Sequence, residues 1–421
     1  MGSEGMKYDV LVLGAGMVGV SCALHLQAKG KSVALFDRQE AGQETSFGNA
    51  GIIQREAARP YSFPRALSVI GTAATNRRLD VRYHASALPR VAGPLLRYFN
   101  HSAPAAYEKI AADYASMIAM SIDTHADLIK AAQAESLVEK QGWLMLMRSQ
   151  KNLAAAYAEA DTLQREHGVN HRKLNQQQLA ELEPGIAKGQ LVGAVHWTDP
   201  WTLRSPGDLV KAYAELFNRR GGEMLFGDAL TLEKTAAGWQ VRTRDGETVT
   251  AAEVVIALGP WTTKLTARFG FAPPMFVKRG YHMHYAALPD RKLNHWVLDE
   301  ERGYLIAPMK NGLRLTTGAE LALIDSPSTP KQLIDCEAVA RDLLPIGDRV
   351  DPEPWKGARP CMPDMKPVIG AVPDVPGMWC AFGHGHQGFT LGPATGELLA
   401  ALMTGEKPQI DMQPFSAGRR F

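Results

Sequence analysis

A short apolar segment running into three spaced glycines constrains this chain more than any other feature. Lys7-Tyr8-Asp9-Val10-Leu11-Val12-Leu13 reads as a buried parallel strand. Gly14-Ala15-Gly16-Met17-Val18-Gly19 follows at once, and Val20 to Lys29 reads as a helix stopped by Gly30. Ser32 to Phe36 reads as a second strand that ends on Asp37. Each part has a physical task. Gly14 permits the tight turn, Gly16 lets backbone approach a pyrophosphate, and Gly19 lets the helix pack against the strand. Ala15 and Met17 belong to the same turn, where free N–H groups and the positive end of the helix dipole suit phosphate. Asp37 accepts hydrogen bonds from ribose hydroxyls and disfavours a 2′-phosphate, and Arg38 follows it. A dinucleotide is therefore expected, and this unit alone leaves NAD and FAD open.

The length of 421 residues suits two domains. A formal net charge of +2 gives no field that would draw nucleic acid or an acidic membrane surface. The cysteines (Cys22, Cys336, Cys361 and Cys380) lie far apart, with no CxxC pair for zinc or a disulfide framework. No apolar run is long enough to span a bilayer. The expectation is a cytoplasmic protein in a reducing compartment, with peripheral contact at the inner membrane face left open. Residues 1–5 precede a second methionine and are read as a tail.

Three further segments turn the expectation toward flavin. Glu44 to Gly51 is a small, polar, glycine-rich loop. Its Thr45, Ser46, Asn49, Ala50 and Gly51 can line a long cofactor, as can Ile53 just beyond it. Glu253 to Trp261 is a late buried strand ending at Gly259, after a β-rich stretch with an Asp245-Gly246 turn. Ala381 to Pro393 is rich in glycine and histidine and holds Gly388, Phe389 and Thr390. A helix is expected over 394–403, with Pro393 in its first turn and Gly405 at its stop. The positive end of that helix would stabilise charge developing on a reduced flavin.

Together these segments resemble the D-amino-acid oxidase-like superfamily of FAD oxidoreductases, from about Tyr8 to Gly405. The superfamily includes glycine oxidase, sarcosine oxidase and bacterial D-amino-acid dehydrogenases. The more specific motifs are Arg359-Pro360-Cys361-Met362-Pro363-Asp364 with Pro367-Val368-Ile369-Gly370, and Gly383-His384-Gly385-His386-Gln387-Gly388. The Thr45 to Gly51 loop looks most like the D-amino-acid dehydrogenase branch, including proteins acting on D-hydroxyproline.

The resemblance implies an α/β architecture. A discontinuous two-dinucleotide-type, Rossmann-like FAD domain would cover 6–58, 200–265 and 355–405. A mixed-sheet α+β substrate domain would cover 59–199 and 266–354, and 406–421 would be a tail. Gly142 to Arg148 is strand-like, and Tyr304–Met309 and Leu313–Thr317 flank a Lys310-Asn311-Gly312 turn. Residues 104–133 and 151–167 read as amphipathic helices over that second sheet. The resemblance also adds Ala229 to the cofactor-binding residues.

The implied chemistry passes a Cα hydride to flavin N5 while the protein holds the substrate carboxylate. Arg359 matches the family's carboxylate-binding arginine, which grips with two parallel hydrogen bonds. A surface ion pair with Asp351, Glu353 or Asp364 is the bland alternative. Tyr304 stands where relatives place an aromatic hydroxyl over the substrate, and Tyr281 is a weaker candidate. His386 is expected near the flavin, where it could take the amine proton. His384 and His386 lack a third ligand, so no metal is expected. Cys361 does not align with the cysteine that anchors flavin in sarcosine oxidases, so FAD is expected to be non-covalent.

The implied reaction is dehydrogenation of a D-amino acid or a cyclic imino acid such as D-proline or hydroxyproline. The acceptor stays open among quinone, dye and oxygen. The alternatives are a peroxide-forming glycine or sarcosine oxidase and a non-catalytic FAD-binding subunit. The side-chain pocket is expected from 59–100 and 270–300, with Pro60, Pro64, Arg65, Tyr83 and His84 at its entrance.

Overall fold

The structure is a computed structural model that describes residues 7–187, 189–289, 291–344 and 346–421. Two large sheets organise it. The first has eight strands and draws on three distant stretches of chain. Its centre is Lys7–Leu13, parallel to Val33–Asp37 on one side and to Thr248–Ile256 on the other. Met378–Phe382 joins in parallel beyond Thr248–Ile256. Leu11, Val12 and Leu13 are fully buried, as expected for a parallel strand covered on both faces. The carboxyl ends of these strands meet at Gly14, Asp37 and Ala257, where an open α/β sheet binds its ligand.

The second sheet has ten strands and is mostly antiparallel. Phe276–Tyr285 lies between Gly312–Thr316 and Trp355–Cys361. The expected hairpin is present as Tyr304–Met309 and Gly312–Thr316, with Gly312 at φ +119° where the chain turns. The strand expected near Gly142 is Trp143–Met147. One face of the sheet packs a core containing Tyr281, Met283, Tyr304, Ile306 and Leu315. The other face carries Lys278, Gly280, His282, Leu305 and Thr316 toward a cavity between the sheets.

Two helical expectations are corrected. Gln150–His167 does pack on the second sheet. Ser121–Ala132 packs instead on Gly388–Met403 and Pro206–Arg219, beside the first sheet. The C-terminal helix begins at Gly388, so Pro393 lies inside it. A proline there has no N–H for the carbonyl of Phe389. His125, fully buried on Ser121–Ala132, donates from Nε2 to that carbonyl at 2.9 Å. Its Nδ1 accepts from the Tyr213 hydroxyl at 3.1 Å. The proline therefore needs a partner helix, which explains where Ser121–Ala132 sits.

Candidate active site

The cavity measures about 1270 Å³. That exceeds a typical small-molecule site of roughly 300–1,000 Å³ and leaves room for a dinucleotide and a substrate together. Gly14 sits at φ +109°, and a Cβ there would lie 2.4 Å from the carbonyl oxygen of Ala257. A Cβ on Gly19 would lie 1.7 Å from the carbonyl oxygen of Gly14. These glycines hold the turn closed, while Gly16 forms cavity wall. The Asp37 carboxylate accepts the N–H of Ala15 at 2.6 Å and of Gln39 at 3.1 Å. Burial raises its pKa. Arg38 lies over the Trp261 ring at 4.4 Å and pairs with Glu44 at 2.6 Å. Ala229 and Gly259 complete this end of the wall.

The Thr45–Gly51 loop is tied down from the second sheet. Arg314 Nη1 donates to the Asn49 carbonyl at 2.8 Å, and Trp296 Nε1 to that of Ala50 at 2.8 Å. Thr45 Oγ1 donates to Ala358 O, and Ser46 Oγ accepts the N–H of Met17 at 3.0 Å. Burial pushes the Arg314 guanidinium down to about 10, and its Nε donates to His284. Asp351 holds the other nitrogen of that ring. Arg314 and Trp296 were not singled out from sequence.

Ala15, Gly19, Gly51, Ile53 and Thr390 support this wall from behind, and Gly388 and Phe389 belong to it. Thr390 Oγ1 accepts the N–H of Gln54 at 3.2 Å. The helices starting at Met17 and Gly388 have no side-chain cap at their N-termini, and both begin on the cavity. A glycine cradle and two uncapped helix starts fit a pyrophosphate at one point and an anionic reduced flavin ring at another.

Arg359 reaches into the cavity from Trp355–Cys361. Its guanidinium donates to Gly318 O at 2.8 Å and to Thr317 O at 3.4 Å. It passes across Gly280, where a Cβ would meet Nη2 at 2.6 Å. The surface ion pair is not formed: Asp351 bonds His284, and Asp364 bonds Arg419. Among the described residues no carboxylate pairs with Arg359.

His386 also lies on the cavity, 4.9 Å from Tyr61 between ring centroids. Burial, with Arg359 and Lys278 nearby, pushes it down to about 3. That direction does not favour uptake of an ammonium proton, and it lends the general-base expectation no support. His384 bonds Thr395 Oγ1 at 2.9 Å.

Tyr304 is also corrected. It pairs with Asp299, and its ring packs in the core on the far side of the sheet. Burial beside Asp299 raises its hydroxyl well above the ordinary range. Tyr304 and its neighbour Leu305 both border the cavity, and strand alternation gives its open face to the Leu305 side chain. Tyr281 faces the same distant core and bonds Glu320 at 2.8 Å. Tyr61 lines the cavity as well, an exposed side chain missed from sequence because it sits in a loop without a motif. Of the expected entrance residues, Pro60, Pro64 and Tyr83 line the cavity. Arg65 lies over Phe99, and His84 bonds Thr329.

Glu56 is another group that sequence did not mark. Its buried carboxyl accepts from Gln54 Nε2 at 2.7 Å and Trp143 Nε1 at 3.0 Å. Burial pushes it up to about 7. A raised folded pKa means stability that is complete below about pH 4.5 and lost as pH rises through 7. Glu56→Gln keeps an acceptor for both bonds and removes the charge. The variant should gain on the wild type as pH rises from 5 to 8, by up to about 3 kcal/mol. Thermal unfolding at both pH values checks this, and an equal gap at both would contradict it.

Comparison with known proteins agrees with this geometry. Residues 9–402 match the DAO family, described as FAD dependent oxidoreductase. A D-amino acid dehydrogenase of Chromohalobacter salexigens is 29% identical over 96% of this chain and 97% of its own length. D-amino acid dehydrogenase 2 of Mesorhizobium japonicum is 30% identical over 96% of this chain and 98% of its own. Among solved structures, glycine oxidase from Geobacillus kaustophilus superposes with TM-score 0.72 at 23% identity, covering 99% of both chains. L-proline dehydrogenase from P. horikoshii superposes with TM-score 0.75 at 16% identity, covering 98% of this chain and 97% of its own. Both structural likenesses concern the fold alone. Among the described residues no helix is long and apolar enough to cross a membrane, and no cluster of three metal-ligating side chains occurs. The near full-length family match carries the assignment: this chain belongs to the DAO family of FAD-dependent oxidoreductases, and FAD is its cofactor.

Proposed function

We propose that the chain is a dehydrogenase that oxidises the Cα–N bond of a D-amino acid or a cyclic imino acid such as D-proline or hydroxyproline. The observation that carries this reading is Arg359, an unpaired guanidinium inside the FAD cavity. A substrate carboxylate is the natural partner for its planar donor fork. The D-amino acid dehydrogenase relatives support the choice of substrate class.

When bound, FAD would supply the hydride acceptor for Cα. The protein's residues do the rest. Arg359 fixes the carboxylate, and the absent Cβ of Gly280 leaves it room to lie flat. Leu298 and Leu305 give the cavity an apolar wall that limits water beside the reacting carbon. The substrate binds with its amine neutral, and the amine's proton goes to solvent. The imine then hydrolyses to a keto acid and ammonia, whereas a cyclic imine can persist.

An anaerobic screen tests the reading: D-amino acids or D-proline should bleach the bound flavin, and their L-isomers should not. Bleaching by L-isomers alone would overturn it. Steady peroxide formation under air would identify an oxidase instead. Cys361 lines the cavity with its thiol pKa raised by burial, a poor setting for a thiolate adduct. Acid precipitation should therefore leave a colourless pellet and a yellow supernatant, and a yellow pellet would contradict non-covalent binding.

A further inference from the structure

Arg359 does not account for all the positive charge in the cavity. Lys278 lies directly opposite it in the ladder between Phe276–Tyr285 and Trp355–Cys361, so both side chains rise from the same face. Directly opposed Cβ atoms are about 4.5–5.5 Å apart, where like charges repel. Among the described residues neither cation forms an ion pair. The Lys278 ammonium lies 4.5 Å over the Tyr98 ring and 3.3 Å from its hydroxyl. An ammonium has three donors, and this contact uses one. His386 feels both charges.

The cavity wall also holds a carboxyl group whose pKa is raised by burial beside Asp299. Glu300 follows the Trp296–Asp299 strand and lines the same cavity without an ion pair among the described residues. The hairpin strands Tyr304–Met309 and Gly312–Thr316 separate it from Phe276–Tyr285. An anion is therefore drawn to the wall that carries Lys278 and Arg359.

We propose that the substrate carries a second carboxylate, held by Lys278 while Arg359 holds the first. The substrate class is then an acidic amino acid, or an amino acid with a carboxyalkyl group on nitrogen. This rests on the reading of Arg359 as the α-carboxylate clamp. A bland role for Lys278, as a cation packed on Tyr98 and Phe276, makes a different prediction, because that role is blind to the substrate's charge.

The test is anaerobic flavin reduction in the FAD-loaded wild type, Lys278→Met and Lys278→Arg. The probes are D-glutamate, D-aspartate, iminodiacetate, D-glutamine and D-alanine. In the wild type at least one acidic probe should exceed D-glutamine by about tenfold or more in reduction rate over Kd. Lys278→Met should lower that value by about 10- to 100-fold, leave D-alanine within about twofold, and be largely rescued by Lys278→Arg. D-glutamate and D-aspartate against iminodiacetate tell a side-chain carboxylate from one on nitrogen. Equal use of neutral and acidic probes, or a uniform loss in Lys278→Met, would overturn this inference and leave the proposed function standing. If no probe of either kind bleaches the flavin, this inference falls, and the proposed function falls with it when D-proline also fails to bleach the same samples.

Discussion

Arg359→Ala should bind FAD and fold, yet lose amino-acid-dependent flavin reduction by about 10²- to 10³-fold. That is the scale for removing one partner of a buried, hydrogen-bonded charge pair, roughly 2–5 kcal/mol. Among the described residues the wild-type guanidinium is held by the Gly318 and Thr317 carbonyls and by no carboxylate, so truncation breaks no ion pair there. Most of the loss should appear in substrate Kd, because the clamp acts before and during the chemical step. Arg359→Lys should fall between, since an ammonium keeps the charge and loses the planar fork. Stopped-flow reduction under nitrogen measures both variants. Unchanged reduction in Arg359→Ala would remove the residue from the site.

The second large effect is expected at the opposite end of the cavity. Gly14→Ala places a side chain at φ +109° and drives its Cβ to 2.4 Å from the Ala257 carbonyl oxygen. Backbone strain of that kind costs about 1–3 kcal/mol, and the overpacking adds about as much. The turn must open, so FAD affinity should fall by about 10²-fold or more and thermal stability should fall with it. Gly16→Ala supplies the contrast. Its Cβ would meet only the Ser46 hydroxyl, at 3.3 Å, so the apoprotein should fold normally while FAD binding weakens. Titration of each apoprotein with FAD and thermal unfolding separate the two. Equal FAD affinity in wild type and Gly16→Ala would contradict the close approach of cofactor to this turn.

Local chemistry was legible in the sequence where it is written in consecutive residues. The glycine turn, Asp37 and the strand ending before Gly259 depend on short-range pattern, and the structure brings them to one crevice. Arg359 was picked out through the family resemblance of its contiguous motif, and it lies on the cavity wall. Tyr304 was misplaced because successive strand residues face opposite sides of the sheet. Its pairing with Asp299 turns the ring into the distant core and gives the cavity to Leu305. Nothing in the local pattern sets that parity.

Other residues were hidden because their partners are remote. His125 serves the carbonyl freed by Pro393 from 264 residues away. Arg314 fastens the Asn49 carbonyl across 265 residues. Lys278 looks like an ordinary strand lysine until its ladder partner is known to be Arg359. Such roles follow from topology, which sequence pattern alone supplied only as a family resemblance.

The central claim is that Arg359 presents an amino acid to FAD by its carboxylate. The most direct measurement compares anaerobic flavin reduction by a D-amino acid with reduction by its carboxamide, which keeps the amine, the Cα hydrogen and the side chain. The account predicts rapid bleaching by the acid and a rate over Kd at least about 100-fold lower for the amide. Equal reduction by both would contradict it.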